Sequence, residues 1–245
     1  PKSKVGGSKP GELVMRALDR AQESLRSGVT SLRDLGGKDF LEFAVRDACN
    51  SGRQMGPTIL AAGQMICMTG GHGNAFGRVA DGPHEVIKAV REQVHAGSDV
   101  IKIMATGGVM TPGVNPEDAH YSLGEITVGI HEGHRFNKTC ASHAQGSEGV
   151  LNAVRAGIES IEHGIFLTDE CVKEILAAGT YLVPTLSALL NIVENKDRGV
   201  PAYAVEKSLR IKDRHQESIK MFYEAGGKIA MGTDAGTPYN LHGAN

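Results

Sequence analysis

Five polar or ionisable side chains fall in or just after short apolar runs spread along the chain: Asp34, Lys102, His143, His163 and Asp234. Lys102 stands in the middle of Val100-Ile101-Lys102-Ile103-Met104 and shares a face with Val100 and Met104 by the two-residue period of a strand. Burying a bare ammonium costs several kcal/mol unless it is paired or loses its charge. A salt bridge to Asp34 or Glu162 is one answer. The other is desolvation, which lowers the amine's pKa. A neutral lysine can serve as a Schiff-base nucleophile, or it can take up CO2 as a carbamate, an anionic two-oxygen group able to bridge two cations.

His143 belongs to Cys140-Ala141-Ser142-His143-Ala144, and His163 to Ser160-Ile161-Glu162-His163-Gly164. Either one alone reads as a satisfied strand-end residue. Two on consecutive strands, next in order after the lysine strand, would lie about 5 to 10 Å apart, because neighbouring parallel strands are that close. Imidazole nitrogens with carboxylate oxygens suit Zn2+, with Mn2+, Fe2+ or Co2+ as substitutes. Asp234, in Met231-Gly232-Thr233-Asp234-Ala235-Gly236, would bring the carboxylate; its plainer reading is a cap on the turn that follows. A Schiff-base lyase using Lys102, with residues 105–109 cradling a phosphate, has no use for this set and ranks below a metal site.

The elements that must position these groups show one recurring punctuation. A helical stretch ends in glycine and a β-branched run follows, at Gly28, Gly97, Gly157, Gly179 and Gly226-Gly227. Two further strands are expected over 58–63 and 139–144. Between them lie amphipathic segments, with helix starts marked by Pro83, by the Ser122-x-x-Glu125 capping box and by Thr168. Runs such as VIKIM and KIAMG are apolar on both faces, the pattern of parallel strands covered on both sides. The reading is α/β with seven strands, the last over 228–232. An open doubly wound sheet gathers its ligand at one crevice, whereas polar groups on five strands fit the mouth of a (β/α)8 barrel. The chain therefore reads as one barrel-type domain over 1–245, incomplete because strand 1 and the last helix are missing.

Composition narrows the function. The 245 residues carry 26 Lys+Arg against 28 Asp+Glu, a net charge of -2 without like-charge runs, so nothing points to nucleic acid or an anionic membrane. With no Trp and 4% aromatics, a base- or sugar-stacking platform is also disfavoured. Four scattered cysteines, Cys49, Cys67, Cys140 and Cys171, form no C-x-x-C pair and read as buried thiols. The stretch around 181–193 is shorter than the ~20 apolar residues of a membrane span, and no signal-peptide pattern opens the chain. The expected partner is a small molecule. The compartment is left open with the cytoplasm favoured, and a homo-oligomer is compatible.

The lysine of IKIMATGGV, the histidines of ASHAQG and SIEHG, and the aspartate of MGTDAG resemble, in that order, the strand-end motifs of the amidohydrolase superfamily. The match is to its branch of metal-dependent Xaa-Pro dipeptidases, arginine carboxypeptidases and imidazolonepropionase-like proteins; GVTSLRDLGG and TGGHGN point the same way. The resemblance implies a binuclear centre with Lys102 carboxylated and bridging, His143 and His163 on the second metal, and Asp234 on the first metal as general base. It implies hydrolysis of an amide or peptide bond by a metal-activated water, or else of a cyclic amide. His72, in the loop Gly70-Gly71-His72-Gly73-Asn74, becomes a candidate for substrate binding at the barrel mouth, against the plainer reading of a solvated loop residue. The sequence departs from the family in having no His-x-His, the strand-1 pair that completes the first metal site. This and the absent small β-sandwich make the chain look like an internal segment of a longer enzyme, with His-x-His expected shortly before Pro1.

Overall fold

The computed structural model describes residues 8–243. Eight helices and eight short strands follow one another within that range: α1 (Pro10–Arg26), β1 (Ser31–Asp34), α2 (Leu41–Asn50), β2 (Thr58–Ala61), β3 (Ile66–Cys67), β4 (Arg78–Val79), α3 (Gly82–Ala96), β5 (Val100–Met104), α4 (Leu123–Arg135), β6 (Thr139–Ala144), α5 (Ser147–Arg155), β7 (Ser160–His163), α6 (Asp169–Ala178), β8 (Tyr181–Val183), α7 (Leu186–Glu194) and α8 (Ala202–Glu224). The expected punctuation is present. Gly97 and Gly179 end α3 and α6 at φ 100° and 70°, a conformation that costs other residues the clash of a Cβ. Ser122 and Glu125 form the capping box of α4, and the Thr168 hydroxyl accepts from the Cys171 amide at the start of α6.

All strand pairs are parallel: β1 with β2, and β3, β5, β6, β7 and β8 in succession, with β4 on the outer side of β3. The two sheets are joined where the Asp99 amide donates to the Ala61 carbonyl at 2.8 Å. The inner arc thus runs β1, β2, β5, β6, β7, β8, and Arg33 of β1 reaches across it to Glu162 and Ser160 of β7. This is a (β/α)8-type barrel, open between its first and last described strands. The domain expected over 1–245 extends at both ends beyond the described residues.

One expectation needs correction. The strand expected over 228–232 is only one parallel bridge, Leu182 to Ile229, held by Leu182 N to Lys228 O and Ala230 N to Leu182 O, both 2.9 Å. No described strand pairs with its other side, and Met231 is 85% exposed, so no ladder forms. The short β3 and β4, and the 23-residue α8, were not anticipated. The apolar stretch 181–193 divides into β8 and α7, with Thr185 at φ 54° between them.

Two clusters of the core fix the direction of the side chains on β5 and β6. Outside the arc, Ile101, Ile103, Cys140, Ile161 and Leu182 pack with Val86, Val90, Ile126 and Ile130 of the helices. Inside, Val100, Ala141 and Ala62 form a small separate cluster. Alternate residues of β5 and β6 therefore point to opposite layers, and Lys102 and His143 fall on the inner one. All four cysteines are buried and free, as expected.

Candidate metal centre

Lys102 is 5% exposed between two fully buried isoleucines. Each isoleucine stabilises by roughly 2–3 kcal/mol through burial, and the ammonium between them costs an amount of the same order. Neither expected salt bridge forms. The Glu162 carboxylate is taken by Arg33 at 3.2 Å and by the Ser160 hydroxyl at 2.7 Å, while Asp34 accepts from the Gly36 amide at 3.1 Å. Lys102 makes no hydrogen bond or ion pair with any described residue. Burial lowers its pKa to about 8; Glu162 and Asp234 pull the other way, and Arg33 reinforces the fall.

The two histidines meet above it. Their rings lie 4.6 Å apart, and the His72 ring lies 4.5 Å from that of His143 on its other side. His143 reaches the lumen by ordinary alternation, one step beyond Ala141. His163 does not: Ser160 and Glu162 are the lumen residues of β7, and the register pairs His163 with outward-facing Ala144. A backbone φ of 80° at His163 breaks the alternation and turns the ring back to the mouth. Thr185 (φ 54°) and Asp234 (φ 55°) are also left-handed. For residues with a Cβ each such conformation costs about 1–3 kcal/mol, and such costs collect where geometry serves function.

Hydrogen bonds fix which ring nitrogens are free. His143 Nε2 lies 2.8 Å from the Gly107 carbonyl, which can only accept, so Nε2 carries the proton and Nδ1 keeps its lone pair. Thr185 donates its one hydroxyl proton to the Pro184 carbonyl at 2.6 Å. Its oxygen therefore accepts from His163 Nδ1, also at 2.6 Å, and leaves Nε2 free. Burial first, then the neighbouring positive groups, holds both imidazoles well below the usual histidine pKa. Both are neutral at pH 7, the state a metal requires. His215 of α8 donates from Nε2 to the His163 carbonyl at 3.0 Å and so fixes the strained backbone.

Asp234 follows the 228–230 segment, and its carboxylate accepts no hydrogen bond from a described residue. Burial among the strand ends raises its pKa to about 6, with Lys102 pulling it down and Glu162 pushing it up. The residue stays open to water, which weakens the contribution of burial. His72 is not a solvated loop residue: burial, His120, Lys102 and Lys207 lower its pKa to about 4, and Nδ1 is hydrogen-bonded to Thr111 Oγ1 at 2.8 Å. Gly107 and Gly108 offer no phosphate cradle, because a Cβ on them would meet the Asn115 carbonyl at 1.9 Å and His72 Nε2 at 2.5 Å. Both are already packed against the protein.

Sequence reasoning singled out Lys102, His143, His163, Asp234 and His72, and the fold brings these five to one end of the barrel. It missed Thr185, Thr111 and His215, whose roles depend on contacts with no local signature, and Arg33, which claims Glu162 from across the lumen. The residues of the mouth fit a metal on the histidine side: two neighbouring imidazoles each keep a free lone pair, and the buried amine near them has no partner among the described residues. Among the described residues only His134, Cys140 and Glu159 bring three ligand atoms within 4.8 Å, at the opposite, N-terminal strand ends. There the Cys140 thiol is pushed up to about 12 by burial and Glu159. Glu159 is engaged by the Cys140 amide at 2.7 Å and His134 at 2.9 Å. A protonated thiol beside a carboxylate already engaged by two partners is a poor metal site.

An ochratoxinase from Aspergillus niger is 31% identical over 237 aligned positions, covering 86% of this chain and 49% of that protein. The chain spans about half the length of the curated relatives it matches. The crystal structure of a Xaa-Pro dipeptidase with bound methionine in the active site superposes with a TM-score of 0.91 at 32% identity, covering 99% of this chain and 63% of that one. That of the A. niger ochratoxinase gives 0.86 at 29%, covering 97% and 60%. The model of the amidohydrolase family matches residues 7–244. The chain belongs to the amidohydrolase family.

Proposed function

We propose that the full-length protein is a metal-dependent hydrolase cleaving the amide bond of dipeptides or N-acyl amino acids. The observation that carries this reading is the convergence of two neutral histidines, each with one free ring nitrogen, on a buried Lys102 amine without a partner. His143 Nδ1 and His163 Nε2 would hold one cation, with Zn2+ suited and Mn2+, Fe2+ or Co2+ as substitutes. Lys102 would carry a carbamate, formed when its nitrogen adds to CO2 and loses a proton, and Asp234 would hold a second cation. When bound, such ions acidify a water and polarise a carbonyl.

The chain's own residues do the rest. Asp234, whose pKa burial raises only in part because the residue stays open to water, is ionised at pH 7 and can take a proton on a carboxylate oxygen and pass it to the departing amine. His72, neutral and held by Thr111, can hydrogen-bond a substrate without adding charge to the mouth. A small amino-acid-derived substrate is supported by the similar Xaa-Pro dipeptidase, which binds methionine in its active site.

The test is the full-length protein on a library of dipeptides and N-acyl amino acids, before and after chelation. Hydrolysis lost on chelation and restored by Zn2+ is expected. Borohydride trapping of a carbonyl substrate on Lys102, with turnover indifferent to chelator, overturns the proposal. Turnover confined to cyclic amides or imidazolones keeps the chemistry and replaces the substrate class.

A further inference from the structure

The loop between β5 and α4 carries two contacts on which the mouth depends: Gly107 O accepts from His143, and Thr111 Oγ1 bonds His72. One face of α8 holds that loop. Tyr203, Lys207 and Arg210, at i, i+4 and i+7, bond Met110 O, three carbonyls, and Glu117 respectively. The Arg210–Glu117 pair is half exposed, and pairs of that kind contribute little. Lys207 differs in kind. Its Nζ donates to the carbonyls of Gly108, Thr111 and Val114 at 3.3, 2.7 and 2.5 Å, and no described carboxylate lies within 4 Å of it. Three carbonyls converging on one point repel one another unless a cation sits among them, and an ammonium has three donors on one atom where a guanidinium has a flat fork.

We propose that Lys207 is a positioning residue, whose ammonium gathers the carbonyls of residues 108, 111 and 114 and thereby sets Thr111 against His72 and Gly107 against His143. The proposal rests on the reading of the mouth as the active site for its effect on catalysis, but not for its effect on the loop. Lys207 touches no reacting atom; it acts through the loop.

Hydrogen exchange of the full-length protein is measured for wild type, Lys207→Met and, as a control on the same helix, Lys212→Met. Three amides report on the loop: Gly107, Asp118 and His120, which donate to Asp118 O, Asn115 O and Ala105 O. Lys207→Met is expected to exchange at least about tenfold faster over 106–120 with β6 and β7 unchanged, while Lys212→Met matches wild type. Should Lys207→Met fail to fold, Lys207→Gln is held to the same comparison. Unchanged exchange over 106–120, or acceleration spread evenly over the barrel, overturns the proposal. In an active preparation, Lys207→Met raises KM severalfold with little change in kcat. An inactive one counts against the proposed hydrolysis alone, since exchange decides on Lys207.

Discussion

Lys102 is an unpaired amine inside the barrel, so its replacement by methionine stabilises the metal-free protein. The change keeps the length of the side chain and removes the charge. Depression of the amine's pKa from 10.5 to about 8 corresponds to roughly 3 kcal/mol. The sign follows from linkage. Below pH 8 both folded and unfolded chains carry the proton, and the folded state bears the whole penalty; between pH 8 and 10.5 the folded state sheds the proton first and stability rises with pH. At pH 7, after chelation, Lys102→Met is therefore expected to be more stable by about 2–3 kcal/mol, raising the melting temperature by roughly 5 °C or more. The gap closes as pH approaches 10.5. Urea unfolding at pH 7, 8.5 and 10 measures it. With Zn2+ and bicarbonate the order reverses, because only the lysine form gains binding free energy. A methionine variant no more stable than wild type at pH 7 without metal would refute the reasoning, since Lys102 would then be a satisfied cation.

Thr185→Val removes the acceptor that holds His163 Nδ1–H and frees the tautomer; metal affinity is expected to fall by about 10–100-fold, read by competition with a chromophoric chelator. Gly108→Ala places a Cβ 2.5 Å from His72 Nε2, and the ring, tied to Thr111 and lying against His143, has little room to yield. A loss of about 1–3 kcal/mol in stability and a raised KM are expected from unfolding and steady-state assays of the full-length protein. Asp234→Asn in metal-saturated enzyme should lower kcat by roughly 100-fold or more with KM little changed; turnover within a few-fold of wild type would return Asp234 to a structural role.

The sequence by itself determined the alternation of parallel strands and helices over most of the chain and singled out the five residues of the mouth. Helix-ending glycines, two-sided apolar strands and a lysine inside VIKIM are local signals, and burying a charge in such a run is costly enough to mark it. Alternation alone put Lys102 on one face with Val100 and Met104, and the register of β5 with β6 brought His143 to the same layer. Only the tertiary structure decided the rest. Glu162 was an equal candidate to pair Lys102 until Arg33 claimed it from across the lumen, a contact between residues 129 apart in the chain. His163 would have faced the helices by parity; a left-handed φ, braced by His215 from α8, turned it inward. The 228–232 run had the composition of a strand but lacked a second neighbour, and β-structure is a property of pairs. Which ring nitrogen of each histidine is free was set by the Gly107 carbonyl and the Thr185 hydroxyl, groups whose approach no local pattern encodes. Local propensity acts over a few residues, whereas hydrogen-bond partnership inside a barrel is settled by side chains brought together only when the chain has closed around them.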